Sequence, residues 1–196
     1  MLVKNKYWFF DKVLNKKFCH EIIQTGLAKE KQTAVTGLSE KSKQIRDSNV
    51  VWLDDQWIYK GIQPYIHEAN KNAGWNFEWD WNESCQFTIY DHKQHYNWHR
   101  DAWDEPYNRP NDINVHNKIR KLSVIISLTD PKEYKGGDLF FDFENVYGKP
   151  KPFKAKEIKP QGSIVVFPSD TWHKVSSVTK GTRYSLVMWC LGKTFK

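Results

Sequence analysis

Five short segments between residues 85 and 191 limit most strongly what this 196-residue chain can form. Each is rich in β-branched or aromatic residues, and Gly, Pro, Asn or Asp residues separate one segment from the next, which is typical of strands joined by turns. Many short strands build antiparallel sheets that pack as a sandwich or a jelly roll. The predicted strands are CQFTIY (85–90), KLSVIISL (121–128), DLFFDF (138–143), SIVVFP (163–168) and RYSLVMWCL (183–191).

The chain before residue 85 has a different pattern, with apolar residues at helical spacing. The spacing predicts one helix over 15–30 and another over 56–74. Pro64 is unfavourable inside the second helix, so this segment forms either one helix or two. Helices followed by many strands indicate an α+β, mainly β chain.

Length and composition favour a single folded domain. The chain is long enough to bury a full core, and its ten tryptophans are untypical of a disordered chain. No linker or internal repeat divides it. We expect one domain over 1–196, with helical support over about 1–84 and a β core over about 85–196.

Composition also argues against several classes of protein. No apolar run approaches the length of a transmembrane helix, and the first residues lack the apolar stretch and cleavage site of a secretory signal. The three cysteines are isolated, which argues against a disulfide framework and against a thiolate zinc site. We therefore expect a cytoplasmic protein that has no membrane partner.

The net charge is +7, and much of the excess lies in the lysine-rich segment 149–159, which has a single glutamate. Its prolines favour a solvated loop. The alternative is a surface that attracts acidic partners, phosphate or nucleic acid.

A histidine and an aspartate two residues apart, His99 and Asp101, form a candidate metal site. If they lie on a strand or on its extended end, both side chains point to one side. His173 follows much later, beyond a predicted strand that ends at Pro168. Two imidazoles and one carboxylate make the facial triad that holds non-haem Fe(II) and leaves coordination positions open.

Arg183, at the start of the last predicted strand, is a candidate anion-binding residue. Alternation along the strand places Arg183 and Ser185 on one face, which Val187 and Trp189 continue. A buried guanidinium needs an anion. A dicarboxylate co-substrate would supply one through a forked contact worth about 1.5–3 kcal/mol.

Three motifs follow one another in the order and spacing of a known family. They are Y-x5-Y-x2-H-x-D at 90–101, R-x-L-S…L-x-D-P-x-x-Y-x-G-G-D-L at 120–139, and G-x-x-V-x-F-P-S…H-x-V…V-T-x-G-x-R-Y-S at 162–185. Together they resemble the Fe(II)- and 2-oxoglutarate-dependent dioxygenases, in particular the prolyl 4-hydroxylase-like branch. Asp138 stands where many relatives have Glu, and DHKQH (91–95) replaces a turn that often contains glycine.

The resemblance implies a double-stranded β-helix, a jelly-roll or cupin-like barrel, with supporting helices outside it. It implies that His99, Asp101 and His173 bind Fe(II) and that Arg183 binds 2-oxoglutarate, with O₂ as the second co-substrate and ascorbate as an optional cofactor. Halogenases of the family lack the carboxylate ligand, so Asp101 favours hydroxylation. Supporting hydrogen-bond donors to the co-substrate are implied at Tyr90, Ser185 and Ser127.

Aromatic residues near the predicted ligands are candidates for a substrate wall. Aromatic grooves receive proline-rich peptides and also stack bases, whereas tryptophans elsewhere usually lie in cores. The resemblance implies a prolyl residue of a peptide or protein as the substrate. The alternatives are an oxidative nucleic-acid demethylase and a non-catalytic ligand-binding β-helix. The candidate wall residues are Tyr96, Trp98, Trp103 and Trp172.

A different metal site is also conceivable from the sequence. His92, His95 and His99 have the spacing H-x2-H-x3-H. This spacing fits a helix poorly in a strand-rich context, and no fourth zinc ligand is evident. The iron triad is therefore the preferred interpretation.

Overall fold

The computed structural model describes residues 5–34, 42–144 and 151–195. In chain order, the strands are β1 (Trp8–Phe10), β2 (Gln32–Thr33), β3 (Arg46–Asp47), β4 (Asn49–Leu53), β5 (Trp81–Asn82), β6 (Cys85–Tyr90), β7 (His95–His99), β8 (Lys118–Ser127), β9 (Lys135–Gly136), β10 (Leu139–Asp142), β11 (Phe153–Lys154), β12 (Ile164–Pro168), β13 (Trp172–Val175), β14 (Val178–Lys180) and β15 (Arg183–Lys193). The helices are α1 (Lys16–Leu27), α2 (Ser42–Ile45) and α3 (Gln56–Asn72), with a 3-10 helix at Lys156–Ile158.

These strands form two main antiparallel sheets. The major sheet has the order β1-β12-β8-β15-β6-β4-β2, with β5 beside β15, and the minor sheet has the order β11-β10-β13-β7-β3. Strands β9 and β14 form a separate pair. Neighbours in each sheet are mostly distant in sequence, as a jelly roll requires. This arrangement is the predicted double-stranded β-helix.

Helices α1 and α3 cover the outer face of the major sheet. Helix α1 begins after Asn15, whose side-chain oxygen accepts a hydrogen bond of 2.8 Å from the backbone N–H of Phe18. Helix α3 is continuous through Pro64, although a proline inside a helix costs about 3 kcal/mol. Burial of one face of α3 offsets that cost, and its fully buried residues include Ile58, Ile62 and Ile66. No described helix is long and apolar enough to cross a membrane.

A second apolar layer lies between the two sheets. Because side chains alternate along a strand, β8 and β15 present one set of residues to the helices and the other set to the minor sheet. The inner layer joins Ile125, Val165 and Phe167 of the major sheet to Phe141 and Val175 of the minor sheet. At one end of this layer, polar residues replace apolar ones and form a pocket.

The five predicted strands are present as β6, β8, β10, β12 and β15, with small shifts at their ends. The N-terminal part, however, is not only helical support. Strand β4 pairs along its whole length with β6, β1 joins the edge of the major sheet, and β3 joins the minor sheet. Strands of two or three residues are too short to show alternation, so their pairing partners decide their conformation.

The lysine-rich segment 149–159 begins outside the described residues. Within the described part, the ammonium groups of Lys154 and Lys159 contact the two oxygens of Asp138 at 2.6 and 2.7 Å. Such pairs offset part of the local positive charge, which favours a solvated surface. Attraction of an acidic partner or of nucleic acid to this segment stays a prediction.

Candidate metal and co-substrate site

His99 and His173 lie opposite each other on neighbouring strands of the minor sheet, and Asp101 follows just beyond β7. The backbone N–H of Asp101 donates to the carbonyl of Ser169 at 2.9 Å, which fixes this extended end. Nε2 of His99 is 3.7 Å from one oxygen of Asp101, and Nε2 of His173 is 3.6 Å from the other. One potential ligand atom from each residue lies within 4.8 Å of those of the other two. The structure therefore brings the predicted triad together.

Backbone carbonyls orient both imidazoles. Nδ1 of His99 is 2.7 Å from the carbonyl oxygen of Asn97, and Nδ1 of His173 is 2.9 Å from that of Thr171. A carbonyl only accepts, so each Nδ1 carries the proton and each Nε2 keeps its lone pair. Burial, followed by the neighbouring His173, lowers the pKa of His99 to about 3. His99 can therefore bind a metal ion at neutral pH without first losing a proton.

Asp101 supplies the negative charge of this group. Burial alone would raise its pKa, but His173, His99 and Arg120 outweigh burial and hold the pKa of Asp101 below its usual range. The hydroxyl of Ser123 donates to Oδ2 of Asp101 at 2.7 Å. A hard carboxylate oxygen beside two imidazole nitrogens is a donor set that suits Fe(II).

Arg183 lies on β15, in the wall of the same pocket, and is only 3% exposed. Its Nη1 donates to the hydroxyl of Ser185 at 3.1 Å, and its guanidinium carbon lies 5.4 Å from the centre of the Tyr90 ring. Gly137 has φ +58, and a Cβ there would lie 2.7 Å from Cδ of Arg183, so glycine leaves room for the side chain. Among the described residues, no carboxylate forms an ion pair with Arg183. The guanidinium therefore fits an external carboxylate.

One pocket contains both the metal ligands and Arg183. The ring of Tyr96 stacks on the imidazole of His99 with 3.4 Å between ring centres. Tyr90 is buried, and burial is the main cause that raises its pKa, so its hydroxyl keeps its proton as a potential donor. The pocket is lined by Gln86, Tyr90, Tyr96, His99, Asp101, Ile125, His173, Val175, Arg183, Ser185, Val187 and Trp189.

Four residues that the sequence suggested for the site do not line this pocket. The hydroxyl of Ser127 donates to the carbonyl of Ile158 at 2.6 Å. Lys174 covers the ring of Trp98 at 4.8 Å, and Arg100 covers that of Trp172 at 5.5 Å. Trp103 is 69% exposed. Their part in binding co-substrate or substrate stays a prediction.

Three residues of the pocket wall were not predicted from the sequence: Gln86, Ile125 and Val175. Alternation was the signal that could have found two of them, because Gln86 shares a face with Tyr90 and Val175 shares a face with His173. Within the described residues, the histidines of the alternative zinc cluster, His92 and His95, do not belong to the metal-ligand group. The three cysteines are buried and free.

The sequence of this chain matches that of a known protein family. The pattern of the 2OG-Fe(II) oxygenase superfamily matches residues 85–191, more than half of the chain. A PKHD-type hydroxylase of Acinetobacter baumannii is 42% identical over 69 residues, which cover 35% of this chain and 27% of that relative. The match thus spans about a quarter of the relative's length.

Solved structures share the fold over nearly the whole chain. A Pseudomonas putida prolyl-4-hydroxylase matches with a TM-score of 0.70 at 18% identity, covering 98% of this chain and 96% of that one. A prolyl hydroxylase from Trichoplax adhaerens, in complex with a peptide fragment of the hypoxia inducible factor oxygen degradation domain, matches with a TM-score of 0.66 at 17% identity and covers 95% and 83%. At such identities the likeness concerns the fold, and it confirms the predicted double-stranded β-helix.

Proposed function

We propose that this chain, which belongs to the 2OG-Fe(II) oxygenase superfamily, hydroxylates a prolyl residue of a peptide or protein. One observation carries the proposal. A single pocket holds a three-residue ligand set for a divalent metal ion together with a buried guanidinium that no described carboxylate pairs with. A ferrous ion would bind to the ligand set, and a carboxylate of a dicarboxylate co-substrate would pair with the guanidinium.

Six polar residues of the pocket have a role in this proposal. His99, Asp101 and His173 would hold Fe(II), and Arg183 would hold the far carboxylate of 2-oxoglutarate, with Ser185 and Tyr90 nearby as hydrogen-bond donors. Iron and 2-oxoglutarate, when bound, supply the oxidation of a C–H bond by O₂. With these groups bound, one oxygen atom of O₂ would enter the acceptor as a hydroxyl group, and the other would enter succinate as 2-oxoglutarate loses CO₂. Apolar wall residues exclude water from the reacting groups, among them Ile125, Val175 and Val187.

The peptide substrate is supported by similarity of fold and by surface chemistry. Both structural neighbours described above are named as prolyl hydroxylases, and one of them was solved with a peptide. Aromatic side chains, which receive prolyl segments well, line a groove beside the pocket, among them Trp52 and Tyr107. Action in the cytoplasm is a prediction from composition.

Anaerobic reconstitution followed by exposure to O₂ tests the proposal. The protein is loaded with Fe(II) and 2-oxoglutarate and supplied with proline-containing peptides or with methylated oligonucleotides. We expect succinate formation and a peptide heavier by one oxygen atom. Loss of a methyl group from an oligonucleotide would contradict the prolyl assignment, and no succinate with any acceptor would indicate a binding protein. The His173→Ala protein is the control for adventitious iron.

A further inference from the structure

A lysine on β8, outside the metal pocket, carries a buried charge that no described carboxylate balances. Lys121 is only 5% exposed, yet its ammonium group forms neither a hydrogen bond nor an ion pair with any described residue. The ammonium nitrogen instead lies 3.4 Å from the centre of the Phe195 ring. Burial lowers the pKa of Lys121, and the nearby Glu78 offsets only part of that shift. A ring face attracts a cation but cannot accept three N–H bonds, so the ammonium group keeps donors for an anion.

A β-bulge directs Lys121 into a cavity of its own. The pairing of β8 with β15 shifts between Leu122 and Arg120, so Lys121 is the extra residue of the bulge. Regular alternation would place Lys121 on the same face as Ser123, whose hydroxyl binds a metal ligand. Because of the bulge, the side chain lines a separate cavity that shares no residue with the metal pocket.

This second cavity has aromatic walls and a volume of about 650 Å³, which is in the range of small-molecule sites. The rings of Phe77 and Phe195 pack edge to face with 4.9 Å between their centres. Trp75 is fixed because its indole N–H donates to the carbonyl of Asn5 at 2.8 Å. The cavity therefore offers one cation beside flat apolar surfaces. The rings that line it are those of Trp75, Phe77, Trp79 and Phe195.

The other charged residues of the cavity limit the charge that a ligand can carry. Asp80 is paired with Lys118 at 2.7 Å, whereas Glu78 forms no ion pair within the described ranges. Lys193 lines the cavity and is exposed. A dianion such as phosphate would be repelled by Glu78 and would lose its hydration against the aromatic walls. A single carboxylate is repelled less, and an apolar body attached to it suits those walls.

We infer that this cavity binds a small carboxylate that carries one negative charge and a flat apolar body, such as an aromatic acid. The carboxylate accepts from the ammonium group of Lys121, and the body packs against the rings of Trp79 and Phe195. The inference does not depend on the proposed reaction, because no residue of the metal pocket takes part in it.

Fluorine NMR with para-fluorobenzoate as the probe tests the inference. The protein is loaded with Zn(II), which is diamagnetic, and with excess 2-oxoglutarate, so that the probe does not compete for Arg183. We expect Lys121→Met, which keeps the volume and removes the charge, to raise Kd for the probe about tenfold. Lys174→Met is the matched control and should leave Kd unchanged, since the Lys174 ammonium also lies over aromatic rings but outside the cavity. The uncharged para-fluorobenzamide should bind the wild type more weakly than the acid does.

Three results would overturn the inference: equal Kd for the wild type and Lys121→Met, equal affinity for the acid and the amide, or displacement of the probe by inorganic phosphate. If Lys121→Met does not fold, Lys121→Gln repeats the measurement with a polar but uncharged side chain. The same titration of Arg183→Ala locates the probe. Unchanged binding in that variant supports the second cavity, whereas loss of binding would place the probe in the metal pocket and contradict the inference. Failure of the protein to hydroxylate peptides would leave these binding results unaltered and would concern the proposed function alone.

Discussion

Two arginines on neighbouring strands of the major sheet, the half-buried Arg120 and the buried Arg183, are satisfied in opposite ways. Arg120 of β8 is held by Glu83, which accepts from its Nε at 3.1 Å and also from its Nη2, and the hydroxyl of Tyr107 donates to the same carboxylate. Arg183 of β15 has a hydroxyl as partner and no described carboxylate. Burial of a guanidinium therefore does not by itself indicate a ligand site. The indication comes from burial combined with the lack of a carboxylate in the protein.

The same contrast separates two regions of the molecule. At the Glu83–Arg120 pair, the charges match within the protein, and their removal should affect folding. In the metal pocket, the ligand set and Arg183 are arranged for partners from outside the chain. Their removal should affect binding much more than folding.

The largest effect is expected from His173→Ala or His99→Ala. Two remaining ligands cannot hold Fe(II) in a facial geometry, so iron binding and turnover should both disappear. The metal-free variants should unfold at a denaturant concentration close to that of the metal-free wild type. Metal analysis after anaerobic loading, together with urea unfolding, measures both. Normal activity in either variant would refute the triad.

The next effect concerns stability. Glu83→Gln leaves the half-buried guanidinium of Arg120 without its counter-ion, which should lower the free energy of unfolding by about 1–3 kcal/mol. Arg183→Gln removes a buried charge that has no protein counter-ion, so the same measurement without co-substrate should change by no more than about 1 kcal/mol. Urea unfolding of the two metal-free proteins makes the comparison. An equal loss in both would show that Arg183 is structural.

Arg183, whose substitution should affect stability less than that of Glu83, should have a large effect on the binding of the co-substrate. Arg183→Ala should raise KM for 2-oxoglutarate at least tenfold, which corresponds to about 1.4 kcal/mol. Arg183→Lys should recover little of it, because an ammonium group cannot reproduce the forked contact with a carboxylate. Fe(II) affinity should change much less, since Arg183 is not a ligand. Steady-state kinetics with varied 2-oxoglutarate gives the answer, and an unchanged KM would contradict the role of Arg183.

Acid should destabilise the metal-free protein through His99. Its folded-state pKa of about 3 lies below its ordinary value of 6.5, so between these values the unfolded chain binds more protons than the folded chain. Stability should therefore fall as pH falls through this window, by about 1 kcal/mol between pH 6 and pH 5 for this one group. The non-titrating variant His99→Gln should lose correspondingly less over the same interval. The same pH dependence in both proteins would show that His99 does not carry the effect.

The sequence was sufficient to predict those parts of the molecule in which residue type and the alternation of side chains along a strand indicate the same structure. It predicted the five core strands and the inward face of Arg183, because both depend on residue type and on a period of two, whereas the family resemblance was needed to bring His173 together with His99 and Asp101. It did not predict the Glu83–Arg120 pair, whose members meet only through the register of distant strands. Ser127, which the resemblance suggested as a donor to the co-substrate, instead donates its hydroxyl to the backbone carbonyl of Ile158, and no periodicity reveals that partner.

The smallest effect is expected at the two histidines that could have formed an alternative metal site. His92 is exposed, and both ring nitrogens of His95 face backbone carbonyls, those of Lys93 at 3.3 Å and Gln44 at 3.2 Å. Both ring nitrogens of His95 thus face backbone carbonyls, and among the described residues His95 is not part of the metal-ligand group. His92→Ala and His95→Ala should therefore keep full Fe(II) binding and change the free energy of unfolding by no more than about 0.5 kcal/mol. Iron titration of each variant beside His99→Ala is the measurement. Loss of metal binding in the His92 or His95 variant would show that the metal centre lies outside the pocket. It would thereby contradict the contrast drawn between the pocket and the Glu83–Arg120 pair.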